Sequence, residues 1–289
     1  MFTPLEYEFF VRGLIVATLV GGLCGLIGVY VVLRQMSYIG HGLAHAIFGG
    51  AVTSYVLSIN FFLGASLWGF VSAMLINIAS RRRSISADAA IGIVTTSSFA
   101  LGIALISKFR NFTRSFDAAL FGNVLGITQA DVLAIVAVTA IAAVAVFVGY
   151  KYLLFTTFDY EVAGFYGVPT GWIDAGFALL LAAVIVVSLQ VLGVTMIAAA
   201  IVIPPVAARL LTNDFTKMLL LSVVIGAFCG LGGLYMSFYI DVSSGASVVL
   251  FSATVFLVAL GYTSLLNRIN SSKWKSGASN LGGEAESLR

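Results

Sequence analysis

The hydrophobic residues of this chain form long runs separated by short polar stretches. Residues 135–148, IVAVTAIAAVAVFV, contain no charge and do not alternate between apolar and polar positions as strands of a transmembrane barrel do. A run of about 20 apolar residues spans a bilayer core of about 30 Å as a helix. The pattern therefore predicts an all-α integral membrane protein, a polytopic bundle of 8–9 transmembrane helices.

Nine segments are candidates for transmembrane helices because they are long and apolar. The segment at 195–212 is short, so the predicted number of crossings is eight or nine. The nine segments cover residues 9–33, 37–57, 61–79, 89–107, 130–150, 172–193, 195–212, 217–240 and 246–266. Residues 1–270 are therefore expected to form one transmembrane domain. The last stretch, 271–289, is rich in Ser, Gly and charge and is predicted to be a disordered tail.

Lys and Arg predict the orientation, because short loops rich in these residues stay in the cytoplasm. The run Arg81–Arg83 is the strongest marker. With that loop inside, Arg34, the 151–171 loop, Arg209 and the tail are also cytoplasmic. The 108–118 loop, which carries three basic residues, then faces outward against the rule.

Composition excludes several classes of protein. The chain is 60% hydrophobic and 9% charged, with a mean hydropathy of +1.07, whereas soluble domains have about 25% charged residues. The net charge of +3 comes from basic residues beside spans and gives no reason to expect nucleic acid. No GxxxxGK[ST] loop for phosphate and no catalytic Ser/His/Asp or Cys/His set is present. The sequence therefore predicts that the chain is not itself an enzyme.

The chain has two histidines, His41 and His45, within SYIGHGLAHAIFGG. A spacing of four places both imidazoles on one helix face, about 6 Å apart, where they can bind one metal ion. The alternative is that each is an interhelical hydrogen-bonding residue. A haem is disfavoured, because its two axial ligands approach from opposite faces. The small residues around the pair also favour close helix packing: Gly40, Gly42, Ala44, Ala46, Gly49 and Gly50.

Four ordered segments resemble the hallmark regions of the manganese/zinc/iron permeases of ATP-binding-cassette importers. The likeness extends to about residue 266. These segments are VYVVLRQMSYIGHGLAHAIFGG, FDYEVAGFYGVPT, LGVTMIAAAIVIPPVAARLLTND and GGLYMSFYIDVSSGASVVL. The resemblance implies the fold of the cobalamin/siderophore-type (type II) importer permeases and a multi-pass location in a prokaryotic cell membrane.

The resemblance also implies a set of partners. Two copies of the permease would form a homodimer in the membrane lipid and bind two cytoplasmic ATPase subunits. An extracytoplasmic metal-binding receptor protein would deliver the ion to this homodimer. No permanently bound cofactor is expected, only a transported ion: zinc, manganese or iron. The 151–171 loop would couple the permease to the ATPase. The residues at its centre are Asp159, Glu161, Ala163 and Gly167.

One departure from the family pattern concerns the metal site. The family's usual motif has an Asp at the position of His41, followed by the His matched here by His45. Two imidazoles favour zinc or a later transition metal, although the change could equally tune the affinity for iron or manganese. The alternative function is a stand-alone secondary carrier or a metal-dependent membrane enzyme. A carrier is expected to have acidic residues inside its spans, whereas Asp88, Asp131, Asp174 and Asp241 lie at span ends.

Overall fold

The computed structural model describes residues 6–57, 59–80, 86–109, 120–122 and 124–287. All regular structure in these residues is helical, as the apolar runs predict. A single 3-10 turn, Val124–Gly126, precedes α5. The helices are α1 Glu8–Leu33, α2 Ser37–Val56, α3 Phe61–Ser80, α4 Ala87–Phe109, α5 Gln129–Val148, α6 Tyr150–Phe158, α7 Tyr160–Phe165, α8 Thr170–Leu192, α9 Ile197–Leu211, α10 Phe215–Ile240 and α11 Ser244–Ser287.

Seven of these helices are long and apolar enough to cross a membrane: α1, α3, α4, α5, α8, α10 and the part of α11 up to Leu266. This confirms a polytopic helical membrane protein. The predicted count of eight or nine is not confirmed. It depends on α2, which has 20 residues but many glycines and polar groups, and on α9, which has 15 residues. Both helices bury much of their surface inside the bundle, so neither needs a fully apolar, lipid-facing composition.

Helix α1 packs closely on α10 through small residues. A Cβ at Gly21 would overlap the carbonyl of Gly226, and one at Gly25 would overlap that of Ser222. The Ser222 hydroxyl donates a hydrogen bond of 2.7 Å to the Gly25 carbonyl oxygen. Small residues allow this close approach in membranes, where packing and hydrogen bonds replace the hydrophobic effect as the force between helices. The two helices therefore form a tight pair.

The 151–171 region contains two short helices, α6 and α7. Asp159 separates them, and α7 is followed by Gly167, whose φ of +81° lies in the left-handed region. We call the end of the bundle that carries these helices the α7 end.

Two sequence predictions concern residues that the structure leaves untested. The markers Arg81–Arg83 lie outside the described residues, as do Arg110 and Arg114. The division at residue 270 and the disordered tail stay predictions. The backbone of α11 is helical through Ser287, while its membrane-crossing composition ends at Leu266.

Candidate metal centre

His41 and His45 are the fifth and ninth residues of α2, at its α7 end. With a rise of 1.5 Å per residue, they lie about 6 and 12 Å along the helix from Ser37. Their ring centroids are 4.4 Å apart, and both side chains are half-buried. The structure therefore brings together the two candidate ligands that the sequence singled out.

The ring of His45 is oriented by its own helix. Its Nδ1 lies 3.0 Å from the carbonyl oxygen of His41. A carbonyl only accepts hydrogen bonds, so Nδ1 carries the proton in this contact, and the neutral ring keeps its lone pair on Nε2. Fixing one ring nitrogen in this way is the usual means of orienting a metal-binding histidine. Because this bond stays within α2, it does not make His45 the interhelical bridge of the alternative interpretation.

The spacing of the two rings suits a shared ion. Two imidazoles bound to one ion through nitrogens at about 2.0–2.1 Å have ring centres about 5 Å apart, close to the 4.4 Å observed. Aromatic rings flank the pair. Tyr38 lies 5.8 Å from His41 and Phe99 of α4 lies 5.1 Å from His45, measured between centroids. These neighbours restrict the rotation of both imidazoles.

The small residues of α2 place α4 directly against the histidine face. A Cβ at Gly42 would overlap Ile91 and come within 2.8 Å of the Thr95 hydroxyl oxygen, and a Cβ at Gly49 would overlap the Ser98 carbonyl. His45 lies between these two glycines on the helix. The packing role predicted for the glycines is therefore observed at the same interface that carries a candidate ligand.

Two imidazoles alone do not complete a metal site, since zinc is almost always bound by about four ligands. Within the described part of the chain, no group of three His, Cys, Asp or Glu side chains is placed to hold an ion. The Thr95 hydroxyl, which lies against Gly42, is buried without a hydrogen-bond partner among the described residues. A metal ion bound by the two histidines would need further ligands beyond the two imidazoles.

The four residues predicted to couple the protein to an ATPase have different environments. The Asp159 carboxylate accepts a 3.0 Å hydrogen bond from the Val162 N–H and caps α7. Ala163 is fully buried, and Gly167 provides the left-handed turn after the helix. Of the four, Glu161 is the acidic side chain that faces solvent without a capping role. Asp159, Ala163 and Gly167 therefore shape the segment.

The α7 segment also exposes aromatic side chains that sequence reasoning missed. Phe165 is 88% exposed and Tyr166 74% exposed, and their rings are 5.9 Å apart. Phe158 and Tyr160, on either side of Asp159, are also exposed. We call these four rings the α7 aromatic surface. The available signal was the density of aromatic residues in FDYEVAGFY, a stretch that is too short and polar to span a membrane.

The chain is similar in sequence to known membrane transport proteins. The profile of the ABC 3 transport family matches residues 6–263. The chain is 36% identical over 259 residues to the manganese transport system membrane protein MntC of Halalkalibacterium halodurans, covering 90% of this chain and 89% of that protein. It is 30% identical over 262 residues to a probable iron transport system membrane protein of Haemophilus influenzae, covering 91% of this chain and 96% of that protein.

Two solved structures are also similar. PsaBC from Streptococcus pneumoniae in complex with Fab matches with a TM-score of 0.80 and 32% identity, over 88% of this chain and 92% of that chain. A putative metal-chelate type ABC transporter in an inward-facing conformation matches with a TM-score of 0.67 and 15% identity, over 88% of this chain and 86% of the other. The second likeness is one of fold alone.

Proposed function

The chain belongs to the ABC 3 transport family, and we propose that it is the membrane-spanning permease subunit of an ATP-binding-cassette importer for a divalent transition metal ion. The observation that carries this proposal is the pair His41 and His45, oriented together on a buried helix. Ionisable side chains at membrane depth are costly and usually mark a substrate pathway. ATP hydrolysis would be the work of a separate ATPase subunit.

Two ions compete as the substrate. The similarity to manganese transport proteins favours manganese, because the chain is 36% identical to one of them over 90% of its length. The ligands favour zinc, because two imidazoles bind later transition metals more tightly than manganese. We therefore propose zinc or manganese as the substrate, with iron as a further candidate from the similarity to the Haemophilus iron transport protein.

The proposed assembly has two copies of the permease, two ATPase subunits and an extracytoplasmic metal-binding receptor, within membrane lipid. Among the described residues no third His, Cys, Asp or Glu side chain joins the pair, and the His41 and His45 of a facing second copy would supply four imidazoles, about the number of ligands that zinc prefers. We infer that α2 also crosses the membrane, which gives eight crossings, or nine if the shorter α9 crosses it as well. The fold would then be that of the cobalamin/siderophore-type permeases.

The α7 segment is proposed to dock on the ATPase. Exposed aromatic side chains in a compact patch are typical of protein interfaces, where a few buried rings contribute most of the binding energy. Glu161 follows Tyr160 in the chain, is exposed and offers a charge for orientation. Closure of the ATPase subunits on ATP would then move the spans as rigid bodies.

Transport by the reconstituted complex tests the proposal. The permease is placed in lipid vesicles with its co-purifying ATPase and metal receptor, and radioactive manganese and zinc uptake is measured with and without ATP. We expect accumulation that requires ATP, the ATPase and the receptor. Accumulation by the permease alone, driven by a proton gradient, would support the secondary carrier instead. Metal-dependent turnover of a substrate without accumulation would support the membrane enzyme.

The substitution His41→Asp is expected to raise the ratio of manganese to zinc uptake. A carboxylate is a harder ligand than imidazole and suits manganese better, although most sites of either kind still bind zinc more tightly. The change in ratio should be modest, because the receptor also selects the ion. Both isotopes are measured in the same vesicles, with Tyr38→Phe as the control beside the site. An unchanged ratio in an active protein would remove the support that His41 gives to zinc.

A further inference from the structure

Arg34 lies at the end of α1 and contacts two other helices, α6 and α8, at the α7 end. Its guanidinium donates hydrogen bonds of 2.9 Å to Asp174, 3.0 Å to Thr157 and 2.9 Å to Thr156. Its Cζ lies 4.7 Å from the centre of the Phe177 ring. The Arg34 side chain is only 9% exposed. This is a buried cation whose donors point at separate acceptors, which is an uncommon and costly arrangement.

The partners of Arg34 flank the α7 segment on both sides. Thr156 and Thr157 lie in the last turn of α6, directly before Asp159 caps α7. Asp174 lies in the second turn of α8, which follows α7. A movement of α7 therefore displaces two groups that are both bonded to the same side chain.

The backbone of Arg34 leads directly to the candidate metal helix. The next residue, Gln35, has a φ of +56° in the left-handed region. The Met36 N–H then bonds the Val31 carbonyl oxygen at 2.9 Å, and α2 begins at Ser37. Only Gln35 and Met36 connect Arg34 to the first residue of α2, so the two cannot move far apart. A displacement of Arg34 is thus passed to the helix that carries His41.

The chemistry of this contact requires an arginine. A guanidinium presents five N–H donors in a fixed plane and can bond a carboxylate and hydroxyls in different directions while stacking on a ring. A lysine ammonium is a compact point charge on a flexible side chain and cannot reproduce this planar set of N–H donors. A neutral side chain would leave Asp174 without its buried counter-charge, although that carboxylate is 21% exposed and retains contact with water.

We propose that Arg34 is a positioning residue that transmits movement of the α7 segment to α2, and so couples ATP hydrolysis to the state of the His41 and His45 site. The inference rests on the proposed function, since it requires an ATPase that acts on α7. It goes beyond the proposed function because it names one side chain, Arg34, as the group that transmits movement from α7 to α2. Arg34 does not contact the ion in this assignment.

The experiment compares Arg34→Gln, Arg34→Lys, Asp174→Asn and the double variant Arg34→Gln with Asp174→Asn. Thr157→Val is included because it removes one acceptor and keeps the size of the side chain. Arg209→Gln is the matched control, since Arg209 is an exposed basic residue in the last turn of α9. Each variant is reconstituted with the ATPase and the receptor. ATPase binding, ATP hydrolysis, manganese and zinc binding, and ions imported per ATP hydrolysed are measured.

We expect Arg34→Gln to bind the ATPase and the ions and to hydrolyse ATP near the wild-type rate, while ions imported per ATP fall on the order of tenfold, as for a typical coupling between sites. Arg34→Lys should not restore the ratio, and Thr157→Val should lower it partly. The double variant should be no worse than Arg34→Gln, because both changes remove one shared contact. Arg209→Gln should match the wild type.

Two results would overturn the proposal. One is a normal ratio of ions per ATP in both Arg34→Gln and Thr157→Val. The other is a joint loss of ATPase binding, ion binding and hydrolysis in Thr157→Val and Asp174→Asn, which would make the contact purely structural. Failure of the proposed function is recognised separately, because the wild-type complex would then show no ATP-dependent import of either ion.

Discussion

Replacing either His41 or His45 with alanine is expected to reduce metal uptake to the level of vesicles without permease. The chain has only two imidazoles, whose ring centroids lie 4.4 Å apart, and in the proposed site the loss of one leaves a single nitrogen that cannot hold the ion in place. Uptake of radioactive manganese and zinc in the reconstituted complex measures the effect. Binding of each ion to the detergent-solubilised protein should fall in parallel. Tyr38→Phe is the control, since it keeps the ring beside His41 and removes only a hydroxyl.

The variant His45→Asn separates metal binding from a structural role. Asparagine can donate a hydrogen bond to the His41 carbonyl from near the position of Nδ1, but it has no equivalent of Nε2. We expect His45→Asn to be folded and still inactive. If it transports at the wild-type rate, the histidine serves the 3.0 Å hydrogen bond to the backbone and the metal assignment is wrong.

The second large effect is expected from Phe165→Ala, which should weaken binding of the ATPase by at least about 30-fold. Phe165 is 88% exposed in the isolated chain, and a ring buried at the centre of an interface typically contributes about 2 kcal/mol or more. The affinity of the purified ATPase for the permease in nanodiscs measures the change. Receptor-stimulated ATP hydrolysis should fall with it at limiting ATPase concentration.

A matched control for Phe165→Ala is available on a membrane span. Phe147 of α5 is 83% exposed, and Phe147→Ala makes the same chemical change outside the α7 aromatic surface. Its ATPase affinity should equal that of the wild type. Glu161→Gln should have a smaller effect than Phe165→Ala, because exposed charges at an interface edge contribute less than buried rings. Equal affinities for Phe165→Ala and Phe147→Ala would rule out the α7 aromatic surface as the docking site.

Much of the fold could be predicted from hydropathy. The span predicted at 9–33 corresponds to α1 at Glu8–Leu33, and the one at 37–57 to α2 at Ser37–Val56. The reason is local: a backbone in lipid must satisfy its own hydrogen bonds, so a long apolar run becomes a helix whatever it packs against. The number of crossings was harder to predict. Helices α2 and α9 are buried among other helices, so hydropathy and length do not show whether they cross the membrane.

The candidate functional residues could also be predicted only in part from the sequence. The pairing of His41 and His45 follows from helix geometry alone, because residues four apart share a face. The environment of the coupling residues did not follow from the motif. Asp159 and Glu161 look alike in sequence and both are exposed, yet the first caps α7 and the second lies within its first turn. That difference depends on where α7 begins, which is set by the fold of the whole segment.

The helical membrane bundle and the two imidazoles on one helix face can be predicted from the amino-acid sequence, because both properties depend on composition and on neighbours within a few residues. The packing of the helices sets which of them are shielded inside the bundle, which aromatic rings remain exposed at α7, and how Arg34 is bonded. Arg34 and Asp174 are 140 positions apart in the chain. Contacts at such separation arise from the packing of whole helices, which no local pattern of residues specifies.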